Sequence, residues 1–125
     1  MKIFLNSNLN IKSIALCCYV APGTGAPVHT NRKNHGIVFY PEGNSTFDFH
    51  DKSIVTKPNS ILYLPKGSNY VVSHKSHSEC YAINFDIDEE VNIQPFMFMT
   101  KNSQGFLDLF KKAELIWKAQ KTDLK

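Results

Sequence analysis

The sequence predicts a mainly β domain, a small barrel or sandwich, followed by one amphipathic helix. Three observations carry that expectation. Residues 1–100 break into short runs rich in β-branched and aromatic residues, separated by Gly, Pro, Asn, Asp and Ser. Several runs alternate apolar and polar side chains with the period of two that a half-buried strand requires. After about Thr100 the period lengthens to that of a helix.

In order, the expected strands are 2–5, 14–20, 27–31, 36–41, 45–50, 53–57, 60–64, 69–74, 79–87 and 91–98. Pro22-Gly23, Glu42-Gly43-Asn44, His50-Asp51-Lys52, Pro58-Asn59, Lys66-Gly67 and the Ser-rich stretch 73–78 supply the breaks. The clearest hairpin signal is GIVFYPEGNSTFDFH, 36–50, where Phe47 and Phe49 alternate with Thr46, Asp48 and His50. In CYAINFDID, 80–88, Tyr81, Ile83, Phe85 and Ile87 share one face. Cys80, Ala82, Asn84, Asp86 and Asp88 share the other. From Ser103 to Lys121 the apolar positions Phe106, Phe110, Ala113 and Trp117 follow helical spacing, and Ser103 with Gln104 is a helix start. The whole is expected to be one unit, a barrel over 1–100 and a helical dimerisation or linker segment over 101–125. The end just past an amphipathic helix suggests a piece of a longer protein.

With 125 residues the chain can bury roughly two thirds of its unfolded surface, enough for a core without staples. Its aromatic share of 12% suits β packing and a lined cavity. The net charge of +3 comes from dispersed lysines, which reads as a solvated face and not a nucleic-acid stripe. The three cysteines, Cys17, Cys18 and Cys80, lack metal-site spacing, and neighbours on a strand point to opposite faces. They read as small buried hydrophobes in a cytoplasmic protein. The apolar run 14–21 is too short and too late for a signal, and no run approaches the ~20 apolar residues of a membrane span.

Catalytic signatures are missing. His29, His35, His50, His74 and His77 form no H-x-H or H-E-x-x-H pattern. Asp86, Asp88, Glu89 and Glu90 read as a solvated turn. There is no G-x-S-x-G, phosphate loop or dinucleotide fingerprint. What remains is binding: a small barrel lined by aromatics is a natural small-molecule pocket. Arg32, Tyr40, Glu42, Tyr63, Tyr70 and Asn84 are its polar candidates, although each singly also fits an ordinary strand, turn or bulge residue.

One turn is more specific. Asn59, Pro65, Gly67 and Tyr70 fit the spacing G-x5-P-x-G-x2-H, with Asn in the first glycine's place and Tyr in the histidine's. Together with Glu42-Gly43 before it, this order resembles the cupin barrel, a double-stranded β-helix. The histidine pair of the first cupin motif would fall near Thr30-Asn31-Arg32, so both metal-ligand positions are altered. That combination resembles the N-terminal sensor domain of AraC-type transcriptional regulators, as do an Arg before the first hairpin, the Tyr in place of His, the CYAINF strand and the terminal helix.

The resemblance implies a metal-free barrel without cofactor. It binds a small effector, forms a homodimer through a helix, and controls helix-turn-helix units carried outside this chain. It places Glu42, Val72, Cys80 and Ala82 at pocket positions, beside the polar candidates above. That set is poor for clasping a polyol, so either the effector is more apolar than a sugar or the pocket is vestigial. It assigns dimerisation to Phe106, Phe110, Ala113 and Trp117. The other readings are a stand-alone cupin isomerase or dioxygenase with metal on His29, His35 or His50, and a purely structural dimerisation module. The regulator reading expects no enzymatic activity.

Overall fold

The computed structural model describes residues 11–20, 26–74 and 79–123. The expected strand 2–5 and the turn holding His77 lie outside the described residues. The strands are β1 (Ile11–Val20), β2 (Val28–His29), β3 (His35–Tyr40), β4 (Ser45–Phe49) and β5 (Lys52–Val55), then β6 (Ser60–Leu64), β7 (Tyr70–His74), β8 (Cys80–Ile87) and β9 (Phe96–Met99). One helix follows, α1 (Ser103–Asp123).

Two antiparallel sheets form the cupin-like barrel. One has five strands in the order β1-β8-β3-β6-β9, the other four in the order β2-β7-β4-β5. The expected hairpin 36–50 is therefore not a paired hairpin. β3 pairs with β6 and β8, whereas β4 pairs with β5 and β7. Gly43, at φ 80°, turns the corner that carries the chain from one sheet to the other. Across that corner Tyr40 and Phe47 meet edge to face inside the barrel, 6.3 Å between ring centroids. Alternation marked both strands correctly, but it carries no information about partners. The last expected strand also shortens from 91–98 to Phe96–Met99. Pro95 immediately precedes it and brings no N–H to a ladder.

The cupin-type turn has a clear backbone reason. Asn59 has φ 68° and Gly67 has φ 85°, the left-handed region that Gly and Asn occupy at least cost. Asn can thus stand for the motif's glycine. Its N–H donates to the Tyr40 carbonyl at 2.7 Å.

β6 is buried along its whole length because it is covered on both faces. Inside lie Val38, Tyr40, Phe47, Phe49, Leu62 and Tyr70. Outside, Phe39, Ile61, Tyr81 and Phe110 form a second core joined by Ile37, Ile83 and Phe106. That second core seats α1 on its own sheet. Phe110 stacks on Phe39 at 5.6 Å and Phe106 packs at 6.3 Å. The Asn102 side chain caps the helix, accepting from the Gly105 N–H at 3.1 Å, so the cap falls one residue before the expected start. Glu114 accepts the backbone N–H of Tyr19 on the edge strand β1. No helix among the described residues is long and apolar enough to cross a membrane.

Candidate functional site

The site lies at one end of the barrel, where the loop before β3 crosses the Pro65-Lys66-Gly67 turn. Arg32 anchors the crossing through its backbone: its N–H donates to the Ser68 carbonyl at 3.1 Å, and its carbonyl accepts from Gly67 at 2.8 Å. Asn31 adopts φ 49° just before it, and its N–H donates to Asn69 Oδ1 at 2.8 Å. These contacts aim the half-buried guanidinium inward. Nη1 donates to the Tyr70 hydroxyl at 2.8 Å, Nη2 to Asn84 Oδ1, and Nε to the Asn34 carbonyl at 3.1 Å. Asn34 in turn donates to Asp86 at 3.0 Å. A Cβ at Gly36 would sit 2.3 Å from Arg32 Nη2, so a glycine here leaves the room that the guanidinium fills. The His29 ring stacks on Tyr70 at 4.9 Å from the outside.

Arg32, Tyr70 and Asn84 therefore meet, as three of the expected pocket residues. Tyr40, Val72, Cys80 and Ala82 also face the interior, but as packed core. Tyr70 lies 5.5 Å from Phe47 and 5.4 Å from Phe49 between centroids, and these rings fill much of the barrel. Burial raises the Tyr40 hydroxyl, and it pushes the Cys80 thiol up to about 12. Cys80 is thus a neutral core group at physiological pH and not a nucleophile. Glu42 stays exposed on the β3–β4 corner, outside this constellation.

Tyr63 faces the other way, onto the outer side of the sheet. Its hydroxyl, raised to about 12 by burial, hydrogen-bonds His35 Nδ1 at 2.9 Å. His35 is 6% exposed and sits between Tyr63 and Phe85, with ring centroids at 6.1 and 5.7 Å. Burial, then the nearby Lys66, lowers its pKa. No neighbouring residue signals this, because β3 opens on His35 with Phe85 opposite it in register. His35 also lines a polar cavity of about 480 Å³ at the barrel end with Lys12, Lys66, Asp86, Asp88 and Glu89. Two further clefts flank α1. One, of about 270 Å³, is lined by Ala113 and Trp117 with Ile14, Cys17 and Ile83. The other, of about 250 Å³, lies beside Phe106 and Phe110.

His29 and His50 are exposed. Among the described residues no three His, Cys, Asp or Glu side chains converge as a metal-binding group. The helix stripe is placed differently from the dimerisation role assigned to it. Phe110 is buried on the chain's own sheet and Phe106 packs with it. The apolar residues that α1 exposes are Leu109, Leu115 and Ile116, at 63%, 67% and 52%.

No protein-family model matches the sequence, and no curated protein matches it. Solved structures do match. ToxT from Vibrio cholerae is similar over 86% of this chain with a TM-score of 0.55 at 8% identity. A second ToxT structure, the apo K231A protein, gives a TM-score of 0.51 at 10% identity over the same share. The chain spans about half of ToxT, 54% and 56% of those two chains. A cupin-2 domain protein from Shewanella frigidimarina is similar at 18% identity, covering 64% of this chain and 85% of that one, with a TM-score of 0.45. At these identities the likeness concerns the fold.

Proposed function

We propose that this chain is the effector-sensing and dimerisation domain of an AraC-type transcriptional regulator, acting on helix-turn-helix units outside it. One observation carries the reading. The two positions that match the cupin metal-ligand motifs do come together in space, but as Arg32 and Tyr70, 2.8 Å apart. A guanidinium is always charged, has five donors and no lone pair for a metal. The convergence point therefore holds a structural hydrogen-bond network where a cupin enzyme would hold its metal ligands, which favours a binding role over metal-assisted turnover. The fold shared with ToxT, an AraC-family regulator, supports the same class.

The helix supports the second half of the role. Leu109 and Ile116 lie seven residues apart on the exposed side of α1, the spacing of a helix–helix seam. The helix itself rests on the sheet whose other face lines the barrel.

The test is a thermal-shift screen of the full-length protein against sugars, carboxylates and uncharged aromatics, with elemental analysis alongside. One class is expected to raise the melting temperature in a saturable way. Light scattering is expected to show a dimer that Ile116→Glu dissociates. Stoichiometric metal with turnover would overturn the reading in favour of a cupin enzyme.

A further inference from the structure

We infer that the effector site is the apolar cleft between α1 and the outer face of the five-stranded sheet, and that it takes a small, uncharged aromatic molecule. This inference rests on the sensing role proposed above and gives it a place and a ligand class.

The barrel interior is a poor host. Tyr40, Phe47, Phe49 and Tyr70 lie 2–4% exposed and pack ring on ring through it. The Arg32 guanidinium is already held by Tyr70, Asn84 and Asn34. The outer face differs. Ile37, Ile61, Tyr63, Phe98, Phe106 and Phe110 surround about 250 Å³ with no polar surface exposed to it. Drug-sized ligands use pockets of ~300–1,000 Å³, so this space suits something smaller, of one or two fused rings. A charge there would lose its hydration with no partner in return. Aromatic walls favour a ring that can stack or meet them edge-on. The polar cavity on the far side of His35 presents lysines and carboxylates to its occupant, which selects against the same molecule.

The position also supplies an output. Two walls of the cleft, Phe106 and Phe110, belong to α1, and the others belong to β3, β6 and β9. A ligand that touches both binds the docked helix better than an undocked one. That difference in affinity is what allows it to shift the equilibrium. Occupancy therefore tightens α1 onto the sheet and fixes the orientation of its exposed Leu109 and Ile116.

The test is calorimetry of the full-length protein with indole as the probe, on wild type and Phe98→Trp. Phe98 is half-buried on β9, and the larger ring fills the cleft from its rim. Ile37→Phe, which fills the same space from β3, serves if Phe98→Trp melts early. The expected result is one-to-one binding with a negative heat-capacity change, weakened at least about tenfold by either variant. Hydrogen exchange of the α1 amides is expected to slow when indole is saturating. Equal binding in wild type and both variants overturns the inference and leaves the sensing role with a ligand site elsewhere. Absence of indole binding overturns it as well, while the wider screen still judges the sensing role. Binding that leaves helix exchange unchanged overturns the coupling to α1.

Discussion

Inside the barrel, Tyr40, Phe47, Phe49 and Tyr70 close on one another with centroids 5.4–6.5 Å apart. On the other side of the same strands, Phe39, Phe106 and Phe110 are just as aromatic but leave a cleft beside them. The two faces of β3 and β6 differ in what covers them. The inner face is covered by a second sheet, joined to the first through short corners such as 41–44, so its side chains interdigitate over a fixed gap. The outer face is covered by a single helix. A cylinder touches a twisted sheet along a line, and space remains at its flanks. Polar chemistry follows the same division. The inner face ends in the Arg32–Tyr70–Asn84 network, where Nε, Nη1 and Nη2 of Arg32 each donate to a protein acceptor. The outer face ends in His35, which is hydrogen-bonded to Tyr63 and lines a charged cavity.

The comparison breaks most readily at the helix. Phe110→Ala is expected to cost about 3 kcal/mol, since it removes a buried ring from the seat of α1. Urea unfolding monitored by circular dichroism measures this. An unchanged midpoint would mean that the helix does not rest on its own sheet. Next comes Arg32→Met, expected to cost about 2 kcal/mol because it strands the Tyr70 hydroxyl and Asn84 amide. Arg32→Lys is expected to recover little, because an ammonium on one stem cannot span three acceptors.

Gly36→Ala sharpens the same point. Its added methyl meets the movable end of Arg32 at 2.3 Å, so a loss of about 1 kcal/mol is expected. In an Arg32→Ala background the substitution should become nearly neutral. Additive costs in the double-mutant cycle would disconnect the two residues. The smallest expected effect is on pH dependence. His35 is held below its ordinary 6.5, chiefly by burial, so the folded state binds its proton more weakly than the unfolded state. Its contribution to stability is fully present above 6.5 and is lost as pH falls from there through the folded pKa. His29 acts with the same sign. Melting temperature should fall from pH 7.5 to pH 5, and less steeply in His35→Gln; identical slopes would clear His35 of the effect.

Much of this architecture can be read without coordinates. Period-two alternation placed β4 and β8 within a residue or two, and period 3.6 placed α1. Asn59 and Gly67 announced the turn because a left-handed φ restricts the residue choice locally. Arg32, Tyr70 and Asn84 were each legible as polar residues in a barrel, and the motif paired two of them. Tyr63, expected in the barrel pocket on residue type, faces the outer side of the sheet, and Glu42, placed there by type and by the resemblance, stays exposed on the β3–β4 corner. His35 looked like one histidine among five until burial set it apart.

The division has a physical cause. Side-chain period, turn φ and helix capping are written in neighbouring residues, so the sequence by itself determined the elements and which residues share a face, whereas in β8 the apolar face, Tyr81 and Ile83, proved to be the outer one. Partners are chosen by burial summed over the whole chain. Arg32 meets Tyr70 and Asn84 across 38 and 52 residues, and β3 bypasses β4 to pair with β6 and β8. Only the tertiary structure decided those contacts, and only it turned the stripe of α1 onto the chain's own sheet.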